Sequence, residues 1–157
     1  MFREMRRFKQ QISREECVSI LKNEKRGVLA VTGDEGWPYA VPVNFYYDEE
    51  KDKIYFHGAR EGHKVDAMDK DSRVCFTVWN QGYQKEDWSY HVKSVVVFGR
   101  AQQVTDEKEI YESARALGLK YYPSAGEVDI ELEKDLHRVR MTAITIEHMT
   151  GKLVHEK

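Results

Sequence analysis

Three cationic side chains, Arg60, His63 and Lys64, crowd one short segment, IYFHGAREGHKVDAM, which runs from Ile54 to Met68. They follow an apolar run, Ile54-Tyr55-Phe56, that ends at His57 and the small residues Gly58 and Ala59. A helical pattern then starts, with Val65 and Met68 on one face. Cations at a helix start oppose the helix dipole, so a cluster of them calls for a counter-charge. Unpaired backbone N–H groups at the same place, and the strength of charge-assisted bonds to phosphate, favour a bound dianion. The segment is expected to hold a phosphate, with Arg60, His63 and Lys64 around it. His57 stands at the strand end beside it. Such a histidine is either a hydrogen-bonded structural residue or a proton donor to a ligand.

Other residues offer less. Ser94 lies where the polar Tyr90-His91-Val92-Lys93 gives way to an apolar run; it is either a core hydroxyl or a hydrogen bond aimed at a ligand edge. Tyr83 and Trp88, in the preceding loop, could cover a planar ligand or simply pin their own loop. His57, His63 and Cys75 could ligate zinc, but their spacing matches no zinc motif. Neither Cys17 nor Cys75 sits in a recognisable nucleophile context. Both read as reduced, buried or half-buried thiols of a cytoplasmic protein.

The elements that must position these groups read as follows. Ser13 and Glu16 form a capping box for a first helix, with Ile12 and Cys17 as its hydrophobic staple and Gly27 placed to end it. Val28–Thr32 is a strand, and Gly33-Asp34-Glu35-Gly36 a turn. A second strand, from about Trp37 to Tyr47, contains Pro38 and Pro42, so it should lie on an edge or bend. Ile54–Phe56 is the third strand and Arg73–Asn80 the fourth, cleanly alternating. The fifth runs from Tyr90 to Val104, with Gly99 marking a bulge or a close backbone approach. A helix from Thr105 stops near Gly118; Glu127–His137 is a short charged helix. Val139–Ile146 is the last strand, closed by Thr150-Gly151-Lys152.

Six strands in mostly hairpin order predict a mainly β fold, an antiparallel barrel or curled sheet with peripheral helices. The chain lacks GxGxxG and GxxxxGK[ST], which removes the Rossmann and P-loop readings. Its 157 residues suit one domain over 1–157, with an N-terminal arm and helix over 1–26. The net charge of −2 gives no field for nucleic acid, and the basic Arg3, Arg6, Arg7 and Lys9 read as a solvated arm. No apolar run suits a secretory signal or a membrane span.

The pieces GVLAVTGDEGWPYAVPVNFYYD, IYFHGAREGHKVDAM, SVVVFGRA and ITIEHMTGK, in that order, resemble the pyridoxamine-phosphate-oxidase-like, FMN-binding split β-barrel family. The resemblance is strongest to its nitroimidazole-resistance (Nim) branch and spans about Gly27 to Lys152. It implies a homodimer with FMN at the subunit interface and a small-molecule substrate, with NAD(P)H as a donor. It implies that Val41, Pro42, Val43, Asn44 and Phe45 line the flavin ring, largely through backbone. His57, Gly58, Ala59, His63 and Lys64 would serve the phosphate side and Ser94 the ring, with Phe56 and Val95 also among the cofactor-binding residues. His57 matches a histidine that the branch keeps near the flavin for its chemistry. The oxidase proper carries an Arg and a Lys on its second strand, where this chain has Val-Pro-Val-Asn-Phe. Its substrate-binding Arg and Trp also lack a match, which speaks against pyridoxamine phosphate oxidation. The reading is an FMN-dependent reductase of small organic, including nitroaromatic, acceptors. The alternative is a flavin or tetrapyrrole carrier or sensor without turnover.

Overall fold

The capping box at Ser13 forms as the sequence demands. The Ser13 side chain accepts the Glu16 N–H at 3.2 Å, and Glu16 accepts the Ser13 N–H at 3.1 Å. These bonds start α1 (Arg14–Asn23). Ile12 and Cys17 converge on Gly151, where they fill the space a Cβ would need. The computed structural model describes residues 1–156. After α1 come β1 (Arg26–Thr32), β2 (Pro38–Asn44), β3 (Tyr46–Asp48), β4 (Lys53–Gly58) and α2 (His63–Lys70). Then follow β5 (Arg73–Trp79), β6 (Tyr83–Gln84), β7 (Tyr90–Gln103), α3 (Glu107–Tyr121), α4 (Ala125–Asp135) and β8 (Arg140–Glu156).

All strand pairings are antiparallel, in the order β2-β1-β5-β7-β8-β4-β3, with the short β6 paired to β7. The two ends of this path, β2 and β3, are separated in sequence by Phe45 alone. The sheet must therefore curl until its ends meet, which makes the mainly β half-barrel the sequence predicts. Pro38 and Pro42 sit on the edge strand β2, where a missing donor costs no ladder bond. Gly99 falls at the register shift between β7 and β8, and a Cβ there would collide with the Thr145 carbonyl.

The described residues form eight strands where the sequence reads as six, since the second is split and Tyr83–Gln84, expected in a loop, pairs with β7. The expected strand over Trp37–Tyr47 breaks at Phe45, whose ring turns into the core. Gly27 lies in β1 and does not end α1, because the Phe76 ring occupies the place of its Cβ. β8 does not stop at Ile146 but continues to Glu156, paired along the first half of β7. The main core gathers Leu29, Phe45, Phe56, Phe76, Val95 and Val97 inside the barrel. A second cluster, around Tyr55, Leu117 and Met141, seats α3. No helix among the described residues is long and apolar enough to cross a membrane.

Candidate functional site

β4 ends at Gly58, whose register partner on β8 is Arg140. The chain then turns through Gly62, which has φ 130° and offers no side-chain cap to α2. The N–H groups of Val65 and Asp66 both reach the Gly62 carbonyl, at 3.0 Å each. Those of His63 and Lys64 find no acceptor among the described residues. The Lys64 side chain folds back over the strand end: its Nζ lies 3.2 Å from where a Cβ of Gly58 would be. Gly58 thus leaves the room that the ammonium uses. Although the His57 side chain is exposed at the strand end, crowding by protein and then the Lys64 charge push its pKa below the ordinary value, which favours the neutral imidazole. His57, Gly58 and Lys64 are together, as expected, at an uncapped helix start.

His63 departs from this group. Its ring stacks on Tyr39, with centroids 4.1 Å apart, and crowds Gly33. Its Nε2 accepts the Asp34 N–H at 3.3 Å, a role that needs the nitrogen unprotonated. His63 therefore fastens α2 to the turn between β1 and β2 instead of joining Lys64. Arg60 also leaves, donating to the His137 carbonyl in the short 3-10 turn Leu136–Arg138.

Arg140, which the sequence did not single out, fixes α2 at the other end. Its guanidinium meets Asp69 in a two-pronged pair, Nη1–Oδ2 3.0 Å and Nη2–Oδ1 2.5 Å. That contact holds the Asp69 carboxyl below the usual range. The Arg140 side chain is 9% exposed and Asp69 56%, and the Arg140 Nε is buried with no hydrogen-bond partner among the described residues. Asp69→Ala should leave a buried cation uncompensated. We expect a loss of about 2 kcal/mol in urea unfolding, below the 3–5 of a fully buried pair because water reaches Asp69. Adding Arg140→Met should recover most of it.

The remaining predicted residues divide by position. On β2, Val41 and Val43 pack on the core while Pro42 and Asn44 are exposed. Phe45, Phe56 and Val95 are fully buried, so only their backbone could meet a ligand. The Phe45 backbone is already engaged: the Tyr121 hydroxyl accepts its N–H at 3.0 Å and Lys120 Nζ donates to its carbonyl at 3.0 Å. Ser94 lies elsewhere in the sheet, between Trp79 and Lys152, whereas His57 pairs with Met141. Tyr83 stacks on His91, with centroids 5.1 Å apart, and Trp88 is exposed. Ala59 is exposed beside Gly58. Both thiols are free, and burial pushes their pKa values up, away from nucleophile character. Among the described residues, no three His, Cys, Asp or Glu side chains gather as metal ligands would.

Asn44 and His57 also face a cleft of about 270 Å³ formed with α3 and α4, to which sequence patterning gave no pointer. Its wall includes Tyr121, Glu131 and Asp135.

Comparison with known proteins agrees with this architecture. The family model described as pyridoxamine 5'-phosphate oxidase matches residues 13–153. A 5a,11a-dehydrotetracycline/5a,11a-dehydrooxytetracycline reductase of Streptomyces rimosus is 33% identical over 87 residues. That alignment covers 54% of this chain and 59% of the relative, so the chain spans well under two thirds of it. A candidate 5-nitroimidazole antibiotic resistance protein of Bacteroides thetaiotaomicron superposes with a TM-score of 0.77 at 23% identity, covering 92% of this chain and 87% of that one. A FAD-binding protein of Mesorhizobium loti gives 0.68 at 23% identity, covering 92% and 97%. At these identities the structural likenesses speak for the fold.

Proposed function

The chain belongs to the pyridoxamine 5'-phosphate oxidase family, and from that premise we propose that it is an FMN-dependent oxidoreductase acting as a homodimer. The observation that carries the cofactor is the Lys64 ammonium folded over Gly58 at the uncapped start of α2. It puts one full positive charge beside Gly58, on the strand end that leads into a helix start with two unpaired N–H groups, which fits a phosphate monoester. The fit is achieved without His63. When bound, the flavin supplies the electron transfer, from a reduced nicotinamide to a small organic acceptor, with nitroaromatic compounds as the favoured class.

The protein's own part is positioning and proton handling. Lys64 and the α2 N–H groups anchor the phosphate. The β2 edge, from Val41 to Asn44, offers backbone groups left unpaired by its edge position to the rim of a flat ring. His57, kept neutral in the free protein, would gain basicity once a dianion offsets Lys64, and would then hold a proton at the acceptor side. The outer sheet face offers a surface for a second copy: Trp79 and Phe98 share that face, 52% and 39% exposed, with Phe98 partly covered by the Phe2 ring, centroids 5.4 Å apart. A reductase among the relatives supports the reaction class.

The test is spectral. Protein reconstituted with FMN should lose its flavin absorbance on anaerobic addition of NADPH or NADH, and a 5-nitroimidazole should restore it. Bound FMN that no donor bleaches would replace this reading with that of a carrier.

A further inference from the structure

The cleft beside His57 has its own chemistry. Leu117, Val128, Leu132 and Leu136 make it largely apolar. Its tight back wall depends on Gly118. The sequence suggests that Gly118 stops α3, yet the helix runs on to Tyr121. Its real role is close approach: a Cβ there would sit 2.7 Å from Val128 Cγ1, so glycine lets α4 come near. Glu131 and Asp135 stand at the wall. Glu131 has no hydrogen bond or ion pair among the described residues, and Asp135 meets only Arg138, at 3.4 Å. No lysine or arginine lines the cleft among the described residues. His57 therefore separates two sites of opposite sign, the Lys64 cradle on one side and this acidic, apolar cleft on the other.

We propose that the cleft is the acceptor pocket and that it takes a small planar apolar ligand, uncharged or cationic, and excludes anions. The acceptor role rests on the flavin reading above; the charge preference does not. Apolar walls favour a flat ring by desolvation, and a half-enclosed volume of about 270 Å³ suits a bicyclic heteroaromatic. In the FMN-free protein an anion entering would meet Glu131 with no lysine or arginine lining the cleft, whereas a cation would gain a charge partner. A negatively charged acceptor would also be drawn to Lys64, where it would compete with the phosphate. The opposite polarity of the cleft keeps the two ligands apart.

Calorimetric titration of the full chain, with and without FMN, tests this using 1-methylquinolinium and quinoline-2-carboxylate. Without FMN, wild type should bind the cation at least tenfold more tightly than the carboxylate. Glu131→Gln with Asp135→Asn should bring the two within threefold. Leu132→Trp should remove binding of both while leaving FMN affinity within twofold. Equal affinities in wild type, no binding of either probe, or a preference unmoved by the double variant would overturn the proposal. A cation preference in protein that fails to bind FMN would uphold the cleft and overturn the flavin reading, so the two failures are distinguishable.

Discussion

Lys64→Glu is expected to reduce FMN affinity more than a hundredfold, and Lys64→Ala ten- to a hundredfold. The alanine variant loses one charge-assisted contact, worth about 1.5–3 kcal/mol. The glutamate adds repulsion of the phosphate at the start of α2. His63→Ala, by contrast, should change FMN affinity less than threefold. Its imidazole faces Tyr39 and the Asp34 N–H, so its removal loosens the β1–β2 turn without touching the cradle. Fluorescence quenching titrations of the three variants, at two salt concentrations, separate these outcomes. The Lys64 contribution is partly exposed and should shrink as salt rises. Equal losses for His63→Ala and Lys64→Ala would return His63 to the phosphate grip. Unchanged affinity in Lys64→Glu would move the cofactor's phosphate elsewhere.

That contrast marks what the sequence could and could not convey. Signals that act within a few residues were legible. The Ser13–Glu16 box formed as written, and the prolines of β2 lay on an edge. Gly99 marked a close approach. The small-residue break before α2 is where the structure brings His57, Gly58 and Lys64 together. What failed depends on partners far away in the chain. Nothing near position 63 foretells a ring stacked on Tyr39, since helix periodicity fixes only the face and not the rotamer. Gly27 and Gly118 both looked like helix stops, because a glycine reads the same whether it ends a helix or admits a neighbour. The neighbours, Phe76 and Val128, are set by tertiary packing. Arg140 was invisible as an anchor for the same reason: its partner Asp69 lies 71 positions earlier. The cleft escaped patterning altogether, since its walls come from α3, α4, β2 and β4.

Phe45→Ala is expected to be the most destabilising single change, by about 3–5 kcal/mol. The ring is fully buried at the one residue that joins the two ends of the sheet path. It meets Phe76 edge-on, with centroids 5.1 Å apart, and carries the Lys120 ammonium 3.8 Å above its face. Tyr121 and Lys120 hold its backbone from α3, so a cavity here loosens the barrel closure and the cleft wall together. The same cluster sets a pH signature. Burial lowers the Lys120 pKa to about 8. An unfolded chain keeps that proton up to about pH 10.4, so above pH 8 the unfolded state binds more protons than the folded one. Stability attributable to Lys120 must therefore rise with pH from about 8. The raised thiol pKa values of Cys17 and Cys75 pull the opposite way above about pH 8.5, so the informative quantity is wild type minus Lys120→Met. Urea unfolding between pH 7 and 9.5 should show this difference growing in favour of the wild type. It should flatten when the pair is compared in the Phe45→Ala background, where water reaches the ammonium and restores its ordinary basicity. A difference independent of pH would mean that Lys120 is solvated in the native protein. A Phe45→Ala loss below 1 kcal/mol would mean that the barrel closes without its ring.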